Sequence, residues 1–260
     1  MKNFLSIDQG TTSSRSIIFD ANLNLVTDAQ EEYDLTYPED GWVELEPKKI
    51  IETVTNTLNK VVSAGISLEA CGITNQRETT IVWSKSTGEA IYPGIVWQDR
   101  RTHEYCSYLK SNGHEPVIKE KTGLLLDPYF SATKIKWILD NVDGAREKAS
   151  KGELLFGTVD SYLIYMLSKE KNHFTDVTNA SRTLLFNIKS MEWDDELLEL
   201  FEIPKTMMPE VLSCDGDFGN LKINDCEIPI RGVIGDQQAA LVGHGCFNNG
   251  DMKSTYGTGC

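Results

Sequence analysis

The sequence lacks several features that would assign it to a specialised class of protein. No apolar run approaches the roughly 18 residues that a membrane-spanning helix needs, and the apolar stretch of the N-terminus MKNFLSIDQG is too short for a signal peptide. The six cysteines include no Cys-x-x-Cys pair and no matching histidine cluster, which argues against a zinc site or a disulfide framework. We therefore expect a cytoplasmic protein whose thiols are reduced and mostly structural.

Positive charge is also scarce, since 39 acidic residues outnumber 25 lysines and arginines and the net charge is −14. A surface of that sign repels phosphate backbones, so nucleic-acid binding is not expected. An anionic ligand would have to be held by local devices, namely backbone N–H groups, a few arginines and a metal ion. With 40% hydrophobic and 25% charged residues, the chain otherwise has the composition of an ordinary globular protein.

The hydrophobic pattern predicts strands first and an alternation of strands and helices afterwards. Three short strands before about Tyr33, joined by tight polar turns, indicate an antiparallel meander. Helices are expected over 47–62, 101–112, 131–142, 158–168, after Asp194 and over 237–243. Further strands are expected over 70–74, 228–234 and 253–256. This order indicates an α/β domain.

Two glycine-containing turns could bind phosphate. Asp8-Gln-Gly-Thr-Thr-Ser-Ser-Arg15 lies between two predicted strands, where backbone N–H groups and hydroxyls can surround an anion. In it, Asp8 could hold Mg²⁺ through water and Arg15 could neutralise phosphate charge. Gly257-Thr258-Gly259 follows another predicted strand, and its glycines permit close approach of a ligand. Either stretch is also typical of a plain polar turn.

Two further motifs follow predicted strands. Asp236 comes directly after the strand 228–234, where it could accept a proton from a substrate hydroxyl, or could simply cap the next helix. Arg77 and Glu78 follow the strand 70–74, where a donor and an acceptor side by side could recognise the hydroxyls of a small polyol. A surface ion pair is the alternative interpretation of these two residues.

The motifs occur together in one chain, in a recognisable order. The blocks are Asp8-Gln-Gly-Thr-Thr-Ser-Ser-Arg15, Gly72-Ile-Thr-Asn-Gln-Arg-Glu-Thr-Thr80, Ile95-Val-Trp-Gln98, Asp127-Pro-Tyr-Phe130, Gly157-Thr-Val-Asp160, Thr178-Asn-Ala-Ser-Arg182, Gly235-Asp-Gln-Gln-Ala-Ala-Leu241 and Thr255-Tyr-Gly-Thr-Gly259. Over essentially the whole chain they resemble the FGGY carbohydrate kinases, and the block around Arg77 and Glu78 resembles the glycerol kinases among them.

This resemblance implies a fold and a reaction. The fold is the actin-like, ribonuclease-H-like α/β ATPase domain, with a mixed sheet and flanking helices. Residues 1–260 correspond to the N-terminal, substrate-binding domain, and the C-terminal nucleotide-binding lobe is expected to be absent from this chain. The implied reaction is ATP-dependent phosphorylation of glycerol to sn-glycerol 3-phosphate with Mg²⁺, and the full-length protein is expected to form a homo-oligomer. The chain alone is expected to be nearly inactive.

The resemblance also implies roles for individual residues. Asp236 resembles the catalytic base and Asp8 the residue oriented toward Mg²⁺. The implied glycerol contacts are Arg77, Glu78, Trp97, Tyr129, Asp236 and Gln237, and the implied phosphate contacts are Thr11, Thr12, Ser13, Arg15, Gly257 and Thr258. Two alternatives stay open: a kinase of the same family acting on another polyol or sugar, and a non-catalytic actin-like ATPase module.

Overall fold

The computed structural model describes residues 2–62 and 66–256, and one six-stranded sheet organises them. The strands are β1 (Asn3–Gln9), β2 (Ser13–Asp20), β3 (Leu25–Glu32), β4 (Glu44–Leu45), β5 (Leu68–Asn75), β6 (Ile81–Ser84), β7 (Gly94–Ile95), β8 (Leu154–Gly157), β9 (Phe174–Asp176), β10 (Phe186–Asn187), β11 (Glu192–Trp193), β12 (Glu210–Leu212), β13 (Asn220–Ile223) and β14 (Cys226–Gly235). The large sheet has the order β13-β14-β5-β1-β2-β3, and the remaining strands form four two-stranded pairs.

The large sheet is mixed, and its parallel part sets the position of the site. β1, β2 and β3 form the antiparallel meander, whereas β5 runs parallel to both β1 and β14. In this register Asn75 pairs with Gln9 on one side and with Gly235 on the other. The carboxyl ends of three adjacent strands therefore lie in one line.

Nine α-helices flank the strands within the described ranges. They are α1 (Pro47–Val61), α2 (His103–Ser111), α3 (Glu115–Thr122), α4 (Ser131–Asn141), α5 (Ala145–Ser150), α6 (Val159–Leu167), α7 (Val177–Ala180), α8 (Asp195–Leu200) and α9 (Asp236–Gly243). Pro47 suits the first turn of α1 because that position needs no N–H donor. The buried side chains of α1 recur at helical spacing and pack against one face of the meander.

Two hydrophobic clusters hold these layers together. The first joins the inner face of the large sheet to α1 and α6, and includes Leu5, Ile7, Ile73 and Val54. The second lies under α2 to α5 and the β6–β8 pair, and includes Ile135 and Phe156. The second cluster supports α2 and α3 and the segments on either side of them, which carry Trp97 and Tyr129.

The described structure confirms most of the expected elements and contradicts one. The meander, α1, α2, α4, α6, α9, β5 and β14 lie where the sequence predicts them, and the Asp194 side chain accepts a hydrogen bond from the Leu197 N–H at the start of α8. The strand expected over 253–256 is wrong, because those residues form no regular secondary structure and pair with no neighbouring strand. A strand needs a neighbouring strand to accept and donate its backbone hydrogen bonds, and residues 253–256 have none among the described residues.

Candidate active site

The candidate site lies at the carboxyl ends of β1, β5 and β14. The hairpin after β1 carries Thr11 and Thr12, the segment after β5 carries Arg77 and Glu78, and α9 begins with Asp236 directly after β14. Residues far apart in the chain meet here because the three strands are parallel and end in register. Ligands of open α/β sheets bind at such strand ends.

Arg77 and Asp236 form the centre of the site. The Arg77 Nε lies 3.3 Å from the Asp236 Oδ1, and the two side chains are 11% and 38% exposed. Despite this ion pair, the buried Arg77 Nε has no hydrogen-bond acceptor among the described residues. The neighbouring Gly235 leaves no room for a side chain, since an added Cβ would lie 2.5 Å from the Arg77 Cδ. The close approach of the two segments therefore needs glycine at position 235.

Glu78 is a buried carboxylate with a single ion-pair partner in the described structure. Its Oε1 accepts a 2.6 Å hydrogen bond from the Arg182 Nε, and its side chain is only 2% exposed. Burial raises the pKa of Glu78 above its ordinary value, while the positive charges of Arg77 and Arg182 oppose that rise. Its backbone has a φ of +63°, which is uncommon for a residue with a side chain.

An aromatic wall joins the hairpin to the segment after β5. The Trp97 Nε1 donates a 3.0 Å hydrogen bond to the Thr11 Oγ1, and the Trp97 backbone N–H donates to the Thr79 Oγ1 at 3.3 Å. The ring centroids of Trp97 and Tyr129 lie 5.7 Å apart in an edge-to-face arrangement. Burial raises the pKa of Tyr129, and the charges of Glu78 and Asp236 contribute to the same direction. Trp97 and Tyr129 thus border the same polar cluster.

Asp8, for which the sequence predicts a role toward Mg²⁺, belongs to this cluster as well. Burial raises the pKa of Asp8, the negative charge of Asp236 raises it further, and the charge of Arg15 lowers it. Two carboxylates that repel each other across an open site suit a hard divalent cation, which binds oxygen and completes its shell with water and phosphate. Asp8 and Asp236 therefore fit Mg²⁺ as a partial site. No group of three or more potential metal ligands occurs among residues 2–62 and 66–256.

The hairpin after β1 is the phosphate site that the sequence predicts. The Gly10 N–H donates to the Ser13 carbonyl at 2.9 Å, which closes a tight turn with the hydroxyls of Thr11 and Thr12 at its tip. Arg15 lies opposite Asp8 in the β1–β2 register, and its guanidinium also pairs with Asp28 of β3 at 2.7 Å. The donor set fits the phosphates of a nucleotide. The predicted phosphate residues Gly257 and Thr258 lie outside the described residues.

Gln237 and the start of α9 bear on the alternative interpretation of Asp236 as a helix cap. The N-cap residue of α9 is Gly235, and Asp236 is the first helical residue. Its Oδ1 accepts from the Gln237 N–H at 2.7 Å, so the carboxylate does stabilise the helix start. The same carboxylate also faces Arg77, and the Gln237 Oε1 accepts from the Lys253 Nζ at 2.8 Å. Asp236 therefore both stabilises the start of α9 and belongs to the polar cluster.

Sequence reasoning missed the contribution of the turn after β9. The buried Asp176 accepts from the Thr178 Oγ1 at 2.6 Å, and this hydroxyl in turn accepts from the Gly235 N–H at 2.8 Å. Asn179 exchanges two side-chain hydrogen bonds with Asn75, at 2.9 and 3.1 Å. Together with Arg182, this turn connects the ends of β5 and β14. In the sequence, the block 178–182 stands out only as part of a resemblance, because Asn75 and Glu78 lie 104 residues before their partners and Gly235 lies 57 residues after Thr178.

The class of protein follows from solved structures with the same fold. Glycerol kinase of Plasmodium falciparum, crystallised with ADP, superposes with a TM-score of 0.92 and is 35% identical, covering 95% of this chain and 51% of that chain. A xylulose kinase from Rhodospirillum rubrum superposes with a TM-score of 0.85 at 18% identity, covering 95% of this chain and 52% of the other. The fold is therefore the actin-like ATPase fold found in sugar kinases.

The family is established by the sequence itself. Residues 3–243 match the FGGY family of carbohydrate kinases, N-terminal domain. A glycerol kinase from Alteromonas mediterranea is 58% identical over 100% of this chain and 54% of its own length, and one from Haemophilus influenzae is 54% identical over 100% of this chain and 53% of its own length. The chain belongs to the FGGY carbohydrate kinases, and it spans about half the length of these relatives.

Proposed function

We propose that this chain is the N-terminal, substrate-holding half of a glycerol kinase, which transfers the terminal phosphate of ATP to a hydroxyl of glycerol. The observation that carries the proposal is the cluster of Arg77, Glu78 and Asp236 at the ends of β5 and β14. The buried Arg77 Nε, which has no hydrogen-bond acceptor among the described residues, suits a substrate hydroxyl oxygen. Relatives of 54–58% identity that carry the name glycerol kinase support the same substrate.

The chemistry of the site suits transfer to an alcohol. Asp236 would accept the proton of the attacking hydroxyl, because its carboxylate is partly exposed at the site and a positioned carboxylate can act as a general base. Arg77 and Glu78 would hold the other hydroxyls, and Trp97 with Tyr129 would border the carbon chain. The hairpin and Arg15 would meet the phosphates. Mg²⁺ held near Asp8, when bound with the nucleotide, supplies neutralisation of phosphate charge.

Specificity follows from the same polar groups. A site that pairs buried donors and acceptors with hydroxyls rejects an analogue that lacks one, because a buried partner is then left without a hydrogen bond. Glu78 and the Arg77 Nε are both buried, so they meet this condition. Comparing turnover on glycerol, dihydroxyacetone and xylulose in the full-length protein distinguishes a glycerol kinase from another polyol kinase of the family.

The decisive experiment is the variant Asp236→Asn in the full-length protein. We expect glycerol binding to persist, because the amide keeps the shape of the side chain, while the phosphorylation rate falls by about a thousandfold, equivalent to about 4 kcal/mol. Isothermal titration with glycerol and a coupled ADP assay measure the two quantities. Normal turnover in this variant would exclude Asp236 as the base and favour a non-catalytic actin-like ATPase module.

A further inference from the structure

Lys134 of α4 is a buried lysine to which the proposed reaction assigns no role. Its side chain is completely buried, and its Nζ donates to the Tyr129 carbonyl at 2.8 Å and to the Glu78 carbonyl at 3.3 Å. No ion pair of Lys134 occurs within the described residues. Burial lowers the pKa of Lys134 to about 7, and the negative charge of Glu78 opposes that fall.

The Glu78 carbonyl is an unusual point of convergence. Besides Lys134, the hydroxyls of Ser131 and Thr80 each donate to this carbonyl at 3.2 Å. The residue that carries it has a left-handed backbone, which costs free energy for a residue with a side chain. Such a conformation persists only where the surroundings hold it. Three donors from two segments of the chain provide that support.

An apolar side chain could fill the space under α4 at a lower cost in free energy than the Lys134 ammonium group. Burying an ammonium group without a carboxylate in contact is costly, and a hydrophobic side chain of the same length avoids the cost. What the ammonium supplies is a connection between two carbonyls. One carbonyl belongs to Glu78 after β5 and the other to Tyr129 before α4, and these are two of the residues that the proposed function places against the polyol.

We propose that Lys134 is a positioning residue, whose ammonium group, together with the Ser131 and Thr80 hydroxyls, holds Glu78 and Tyr129 in the geometry that recognises the polyol. The inference rests on the proposed glycerol kinase function. Lys134 reaches neither the substrate nor the reacting atoms in this account. It acts only through the backbones of the two residues that do contact the substrate.

The test compares Lys134→Met with the matched control Lys136→Met in the full-length kinase. Lys136 lies on the same helix but pairs with Asp140 and Glu202 at the surface. We expect K134M to raise the KM for glycerol about tenfold or more while the KM for ATP changes less than about twofold, because the lost interaction concerns only the polyol. K136M is expected to leave both constants unchanged.

The outcomes separate this inference from the proposed function. If K134M folds, is merely less stable to heat and keeps the wild-type KM for glycerol, Lys134 has a structural role only and the inference is wrong. If K134M yields no folded protein, Ser131→Ala and Thr80→Val report on the same carbonyl, and an unchanged KM for glycerol in both also overturns it. A wild-type protein that does not phosphorylate glycerol would instead refute the proposed function.

Discussion

The two sides of the candidate site are built differently. We call the residues Arg77, Glu78, Lys134 and Arg182 the strand-β5 side, and the residues Asp8 to Arg15 the hairpin side. On the strand-β5 side the side chains are mostly buried and hold one another through ion pairs and carbonyl contacts. On the hairpin side the Arg15–Asp28 pair is 40% and 34% exposed, and Thr12 at the tip is exposed.

This difference indicates which half of the site the chain completes by itself. Buried polar groups are fixed before any ligand arrives, so the strand-β5 side is preorganised for a small neutral molecule. The exposed Thr12 on the turn and Arg15 on the following strand fit an anion that brings its own charge and metal ion. Variants on the strand-β5 side should therefore cost more folding stability than comparable variants on the hairpin side.

The largest effect is expected for Arg182→Met, which leaves the buried Glu78 carboxylate without its partner. Removing one member of a buried ion pair typically destabilises by about 3 kcal/mol, because the remaining charge stays desolvated. The free energy of unfolding from urea titration of the purified chain measures the loss. A change below about 1 kcal/mol would show that the two sides do not differ in this way.

The pH dependence of that loss sharpens the comparison. The pKa of Glu78 is raised in the folded protein, so the folded state binds its proton more tightly than the unfolded state does. Stability from this group is therefore present at low pH and declines as the pH rises through the folded pKa. Without Arg182 that pKa rises further, and the penalty of R182M should be smaller at pH 5 than at pH 8. Equal losses of unfolding free energy at pH 5 and pH 8 would contradict the role of Arg182 as the partner of the ionised Glu78 carboxylate.

An intermediate effect is expected for Thr178→Val, which removes the hydroxyl between Asp176 and the Gly235 N–H. Loss of a hydroxyl with two partners costs about 1–2 kcal/mol of folding stability. It should also lower kcat in the full-length protein, because Gly235 precedes Asp236. Thr178→Ser keeps the hydroxyl and is the control. If T178S and T178V lower kcat equally, the hydroxyl does not position Asp236.

The smallest effect on stability is expected for Arg15→Met on the hairpin side. Its exposed pair with Asp28 contributes less than about 0.5 kcal/mol, since solvent screens both charges. The KM for ATP of the full-length protein should nevertheless rise, because the charge of Arg15 acts on Asp8 and therefore lies beside the proposed phosphate site. Steady-state kinetics with varied ATP tests this, and an unchanged KM would remove Arg15 from the nucleotide site.

The sequence allowed the carboxyl ends of β5 and β14 to be predicted, and with them the positions of Arg77, Glu78 and Asp236. Strand patterns are local, and a polar residue directly after a buried strand can be recognised without knowing the fold. Arg182 and Lys134 could not be found in this way, because their partners are set by tertiary packing over 104 and 56 residues. The strand expected over 253–256 failed for the related reason that strands need neighbours.

Several short elements also escaped prediction. Helices α3 and α5 and the β6–β8 pair are too brief for their periodicity to stand out from the surrounding sequence. Lys134 shows the limit most clearly, because a lysine on a helix is ordinarily taken as a solvated residue. Only the structure shows that this lysine is buried and donates a hydrogen bond to the Glu78 carbonyl.

The hydrogen bond between the indole of Trp97 and Thr11 ties the aromatic wall to the hairpin tip. In the proposed kinase, a nucleotide that displaced the hairpin would have to carry the indole with it or break this bond, and a polyol packed against the indole would oppose both movements. Occupancy of one proposed site would then change the free energy of filling the other, and by thermodynamic linkage the effect would be reciprocal. A single hydrogen bond would thus couple the two proposed substrate sites.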